Sequence, residues 1–187
     1  MIDAALFETE RIRLVAMDPE GSASMFARWG RDAEYARQLD SEPARLWSAD
    51  AIQDWIKKEQ EKDDRRDLVF LIQSRKEDKT IGFVALDGIK WSHGDAWLAI
   101  GIGERAYRGQ GLGTEAVRLI LQYAFTELNL YRISLSAFEY NSRALRSYEK
   151  AGFHVEGRVR GALKRDGRRW DLVFMGILAE EWNKEMQ

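Results

Sequence analysis

The chain contains no cysteine. That excludes disulfides, thiolate metal ligands and a cysteine nucleophile. It has only two histidines, His93 and His154. They do not stand at metal-ligand spacing, so no metal is expected. Two prolines among 187 residues, beside 15 glycines, exclude a proline-rich linker or a collagen-like repeat. An excess of charge of one sign is also missing: 29 Lys and Arg face 31 Asp and Glu, for a formal charge of −2. Non-specific nucleic-acid binding leans on net positive charge, so no nucleic-acid partner is expected. No uninterrupted apolar run approaches the roughly 18 residues of a membrane span. Met1 to Leu6 has no basic stretch leading into an apolar one, so no signal peptide is expected either. The expectation is a soluble cytoplasmic protein without a membrane partner.

What is present suits a globular core. Hydrophobic residues make up 45% of the chain, too many for a disordered segment. No repeat or low-complexity tract interrupts it, and the length fits a single domain over 1–187. The charged stretch Glu59 to Asp67 reads as a helix end entering a loop. Ile12 to Val15 alternates as a short strand. Asp18-Pro19 opens a helix carrying Met25, Phe26 and Trp29. Ser48 caps a second helix with Ile52, Trp55 and Ile56. Strands at Leu68 to Ile72, Ile81 to Ala85 and Ala96 to Ile102, joined by turns at Lys76–Lys79 and Ser92–Gly94, form an antiparallel meander. Gly82 and Gly88 hint at bends or close backbone approach. A glycine loop, Gly109 to Gly113, then opens a helix to Leu128 with a broad apolar face. A strand at Tyr131 to Phe138 follows, then a short helix capped by Asn141 and ended near Gly152. Phe153 to Leu163 and Trp170 to Leu178 flank Asp166-Gly167, a pair suited to a primed hairpin turn. The order β-α-α-βββ-α-β-α-ββ predicts a mixed α/β fold, an α+β arrangement of a seven-stranded sheet with helices on its faces.

The stretch Arg108-Gly109-Gln110-Gly111-Leu112-Gly113-Thr114 lies between a strand and a helix. Its glycines admit a close ligand. The first helical turn offers unpaired N–H groups and the positive end of the dipole, which suits a pyrophosphate. Arg108 can add charge-assisted bonds. A P-loop is excluded, because Gly113 is followed by Thr114 with no lysine. A dinucleotide fingerprint does fit Gly111, Gly113 and Ala116, but it should open a series of parallel βαβ units, and here a meander precedes it. A tight turn with no ligand is the plainer alternative.

A second stretch runs from Asn141-Ser142-Arg143 to Tyr148-Glu149-Lys150-Ala151-Gly152-Phe153. Together the two resemble the GCN5-related N-acetyltransferases. The first matches that superfamily's R/Q-x-x-G-x-G/A signature and the second its following motif, in the right order. The likeness extends from about residue 9 to 182. It is nearest the branch that acetylates N-termini of ribosomal proteins and the related spermidine/spermine acetyltransferases, to which Glu156-Gly157 and Met175 to Leu178 add.

The resemblance implies an acetyl-CoA-dependent N-acetyltransferase acting on a primary amine, either a protein N-terminal α-amine or a small amine, by direct attack on the thioester. It implies a sheet whose central strands splay, with the pantetheine arm in the gap. Ile100, Gly101 and Ile102 on one strand, the loop from Arg108 through Gly109, Gln110, Gly111, Leu112, Gly113 and Thr114, and Asn141 with Arg143 are the implied acetyl-CoA contacts. Ile100 would supply a backbone N–H to the developing oxyanion. Tyr148 is the implied general acid for the departing thiolate, against the plainer alternative of a core tyrosine. No motif fixes a base. Glu104 is the first candidate, with Asp95 and Glu139 behind it, against solvated loop carboxylates or a water chain. Trp29, Tyr35 and Trp47, around the segment between the first two helices, are candidates for the acceptor side. The basic set Arg158, Arg160, Lys164, Arg165, Arg168 and Arg169 reads as a solvated hairpin or a groove edge, and counts against a polycationic acceptor. Polyamine or antibiotic acetylation, and a non-catalytic acyl-CoA-binding domain, are the alternatives. A monomer or homodimer is expected.

Overall fold

The computed structural model describes residues 6–61 and 66–185. The reading of Met1 to Ala5 and the middle of the Glu59–Asp67 stretch therefore lie outside the described residues. The elements in chain order are β1 (Ile12–Ala16), α1 (Pro19–Trp29), α2 (Ala33–Leu39), α3 (Ala49–Gln60), β2 (Leu68–Ser74), β3 (Lys79–Lys90), β4 (Asp95–Ile102), α4 (Leu112–Thr126), β5 (Arg132–Phe138), α5 (Ser142–Glu149), β6 (His154–Arg165), β7 (Arg168–Leu178) and α6 (Ala179–Glu185). A single 3-10 turn at Arg105–Tyr107 precedes the glycine loop. Among the described residues no helix is long and apolar enough to cross a membrane.

The seven strands form one sheet in the order β1-β2-β3-β4-β5-β7-β6. All pairings are antiparallel except β4 with β5. That parallel pair joins Asp95–Trp97 to Arg132–Ser134 and stops there. Beyond it the strands part, so the sheet has the splay that the family resemblance implies. Gly82 explains how β3 follows β4 closely: a Cβ there would run into the Gly101 carbonyl oxygen. Gly88 lies in the β3 bulge with φ +59°, a conformation that favours glycine. Asp166 and Gly167 both take positive φ, the signature of a primed turn at the β6–β7 tip.

The main core lies between the sheet and α4. Ala116, Val117, Ile120, Leu121 and Ala124 are fully buried there against Val84, Leu86, Leu98, Ile133 and Leu135. Each fully buried branched side chain contributes about 1.5–3 kcal/mol, which fixes α4 relative to the strands. Strand alternation turns Phe83 to the opposite face, where its ring meets Phe26 of α1 at 5.7 Å. Two elements depart from the sequence reading. The stretch after α1 is not a plain loop: Asp32 accepts from the N–H groups of Glu34 and Tyr35 and starts α2. At the other end α6 adds a helix whose Trp182 packs on Phe125.

Candidate active site

The splay opens into a cleft of about 410 Å³ that passes from the start of α4 to α2. Five segments of chain supply its walls. Ile100, Gly101 and Ile102 come from the freed part of β4, with Ser136 and Ala137 from the facing part of β5. Gly109, Gly111, Gly113 and Thr114 come from the loop and first turn of α4. Asn141, Arg143, Arg146, Ser147, Tyr148 and Lys150 come from α5 and its ends, and Tyr35, Gln38 and Leu39 from α2.

The α4 end of the cleft suits a phosphate group. Gly109 and Gly111 take φ of +76° and +83°, and nothing described lies within 4 Å of a Cβ built on Gly109. α4 starts at Gly111 without a side-chain cap. Its first N–H groups are therefore free for an anion. Gln110 is turned back onto the Ala106 carbonyl, and Leu112 is buried in the core, so these two contribute backbone only.

Arg108 does something other than the sequence suggests. Its guanidinium donates to the carbonyls of Ile102 (2.8 Å) and Gly103 (2.7 Å) and pairs with Asp32 at 2.8 Å. With its side chain only 6% exposed and its donors engaged, it ties α2 to the end of β4 rather than reaching a phosphate. Arg143 lines the cleft but bonds Gln38 at 3.1 Å and Glu34 at 3.4 Å, bridging α5 to α2. Arg146 and Lys150 complete the cationic lining, and no Asp or Glu among the described residues lines the cleft.

Asn141 begins α5, its Oδ1 accepting from the Ala144 N–H at 3.2 Å. That leaves its amide nitrogen as a donor toward the cleft. Seven residues on, Tyr148 is 8% exposed, and burial pushes its hydroxyl up to about 12. It is therefore a neutral donor at ordinary pH. Ser147 and Thr114 share a hydrogen bond of 2.7 Å that holds α5 against the first turn of α4.

Glu104 does not line the cleft. It faces α1 and β3, where Trp29 Nε1 donates to it at 2.9 Å, Lys79 pairs at 2.9 Å and Arg28 adds a third partner. Burial pushes its pKa up, but these donors outweigh burial and bring it to about 2. A carboxylate so acidic and so engaged is a poor base, which corrects the sequence reading. Asp95, near Lys90, and Glu139, which accepts from the Asp171 N–H, also stand outside the cleft. Trp29 is buried over Gly103, where a Cβ would collide with its ring, and Trp47 is exposed away from the lining. Of the three aromatics expected on the acceptor side, only Tyr35 reaches the cleft. Its hydroxyl lies where a Gly101 Cβ would come within 2.9 Å, and it has no hydrogen-bond partner. Burial pushes its pKa up, against the opposing charge of Arg108. Part of the basic hairpin turns inward: Arg165 donates to the carbonyls of Asp40, Ser41 and Glu42, and Arg37 pairs with Asp166. The tip of β6–β7 thus braces the α2 side of the cleft.

A family model described as Acetyltransferase (GNAT) domain matches residues 11–154. The chain belongs to the GNAT acetyltransferases. It is 38% identical over 110 residues to the probable N-acetyltransferase YjcK of Bacillus subtilis, a match covering 58% of this chain and 60% of that relative. It is 29% identical over 160 residues to the spermidine N(1)-acetyltransferase of Escherichia coli K12, covering 82% and 84% of the two chains. Its fold is similar to the solved spermidine N-acetyltransferase of Vibrio cholerae in complex with CoA and spermine. There the TM-score is 0.83 and the identity 24%, over 94% of this chain and 99% of the other.

For a GNAT acetyltransferase the cleft has parts that fit a CoA thioester. The glycine loop and the uncapped α4 turn fit its pyrophosphate, and the parted β4 and β5 edges fit its amide-bearing arm. Bound there, acetyl-CoA would supply an activated acetyl group. The chain's own tasks are to hold it and to receive an amine that can attack, and Tyr148 stands on the lining as the candidate donor. Among the lining residues missed in the sequence are Tyr107, Ser136, Arg146 and Lys150. The spacing of Arg143, Arg146 and Lys150 along one helix was the available signal.

Proposed function

We propose that the protein acetylates the α-amine of a peptide or protein N-terminus, using acetyl-CoA. Family membership supports the donor and the reaction. The observation that carries the acceptor class is the lining itself: cations from Arg143, Arg146 and Lys150, and no carboxylate among the described residues. Without a carboxylate base, the amine must arrive largely neutral. An α-amine has a pKa of about 7.7–8.0, an alkylamine about 10.4. Near pH 7.5 roughly a third of the former is neutral, against about one part in a thousand of the latter. A cationic lining also disfavours the second charge of a polycation, since the carboxylate beside it, Glu34, is already paired with Arg143 and Arg105.

A polyamine acceptor is the second reading, favoured by the likeness to the spermidine acetyltransferases of Escherichia coli and Vibrio cholerae. Thiol release from acetyl-CoA decides between the two. The panel is a peptide amide with a free N-terminus, spermidine, an α-blocked lysine and an amino sugar. The expected result is a kcat/KM for the peptide at least about ten-fold above that for spermidine. Preference for spermidine would establish the second reading, and acetyl-CoA binding without amine-dependent release would make the domain non-catalytic.

A further inference from the structure

A strip of surface carrying two aromatic rings continues from the cleft across the sheet. Alternation turns Trp97, Ala99 and Gly101 of β4 to the face opposite α4. Ser134, the parallel partner of Trp97, and Ser136 share that face on β5. Ser136 lines the cleft and is the register partner of Phe174 on β7. The Phe174 ring stands edge-on to Trp97, centroids 6.1 Å apart and planes at 77°. So Ser136, Phe174 and Trp97 form an unbroken line leading out of the cleft. The floor between them is made of the small residues Ala99 and Ser134, with Arg132 Nε donating to the Ser134 hydroxyl at 3.0 Å from one side. Yet Trp97 remains 41% exposed, and an exposed indole beside a binding cleft is the kind of surface that anchors a partner side chain.

We propose that Trp97 and Phe174 form an acceptor subsite for an apolar side chain one residue beyond the amine that is acetylated. This rests on the α-amine reading above. Two residues along a strand span roughly 6.6 Å, so Ser134 is displaced from Ser136 by about the reach of a second-residue side chain in an extended peptide. The two rings stand between Asp87, the cross-strand partner of Trp97, and the Arg132–Glu156 ion pair, so the apolar contact they offer is narrow and selects leucine or phenylalanine over glycine. Neither residue is placed to contact acetyl-CoA, and the donor should be bound independently of them.

The test compares two tetrapeptide amides, Ser-Leu-Ala-Ala and Ser-Gly-Ala-Ala, both with free N-termini. Wild type should favour the leucine peptide by about ten-fold in kcat/KM, the scale of a few methylene contacts. In Trp97→Ala that ratio should fall toward one, and Trp97→Phe should keep part of it. Calorimetric acetyl-CoA affinity should be the same in all three proteins. Equal rates for the two peptides in wild type would overturn the subsite, as would a full leucine preference in Trp97→Ala. So would a change of sedimenting mass in Trp97→Ala with the preference intact, which would give the strip to a second copy of the chain. If wild type acetylates neither peptide but does acetylate another amine, the α-amine reading fails and takes the subsite with it.

Discussion

Tyr148 is the general acid we propose. It lines the cleft and burial keeps its hydroxyl neutral, on a helix held by the Asn141 cap and the Ser147–Thr114 bond. Tyr148→Phe keeps the packing against Phe153 and removes the donor. General-acid assistance is worth about 10²–10⁴-fold, so turnover should fall by that range while acetyl-CoA affinity holds. Full turnover would reduce Tyr148 to packing. Glu104 makes the opposite case. Its folded pKa of about 2 lies below its ordinary 4.5. The stability it contributes is therefore complete above pH 4.5 and lost as the pH falls toward 2. Glu104→Gln should cost about 1–3 kcal/mol, lowering the melting temperature at pH 7 by clearly more than at pH 2.5, with the pH dependence of turnover unmoved. The motif residues were legible because a glycine loop and a helix cap are encoded within a few neighbours. Glu104 and Arg108 were misread because their partners lie far off in the chain. Arg28 and Lys79 claim the carboxylate and Asp32 the guanidinium, and only tertiary structure brings them together.

The start of α4 separates backbone strain from ligand space. Gly111 has φ +83°, so any side chain there strains the turn itself. Gly113 has no such demand, and a Cβ on it meets only Ile102 Cγ1 at an ordinary 3.7 Å. Gly113→Val should therefore keep its melting temperature nearly unchanged and weaken CoA binding in a calorimetric titration. Unchanged affinity would move the pyrophosphate elsewhere. On β3, burial and the charge of Asp67 raise the Asp87 carboxyl to about 6, from an ordinary 3.8. The folded state then holds its proton more tightly, so stability falls as pH rises between about 4 and 6. Asp87→Asn should raise the melting temperature at pH 7.5 and leave it alone at pH 4. Equal shifts at both values would mean that the carboxyl titrates as usual. The helix α2 had a visible start in Asp32, with Glu34 in its first turn and Arg37 in its last. It was hidden by its brevity, since seven residues are too few for a hydrophobic period, and it is held by bonds to Arg108, Arg143 and the hairpin tip.

Seven strands, their order along the chain and the change from meander to helix-separated strands were legible, because alternation and turn residues repeat over many positions. The cleft was not, because it comes from pairing that stops after Trp97 and Ser134, and nothing in either strand alone marks that stop. The molecule that results brings a glycine loop, Tyr148 and a cationic lining to one gap, with no carboxylate among the described residues on its lining. The central claim is that this gap acetylates an amine that deprotonates in solution. It is tested most directly by the pH dependence of kcat/KM, at saturating acetyl-CoA, for two peptides whose N-terminal amines differ in pKa by about one unit. The account predicts that each profile rises to a plateau at its own peptide's amine pKa, so the two curves are displaced by that unit. Two curves sharing one inflection, set by the protein and not by the peptide, would contradict it.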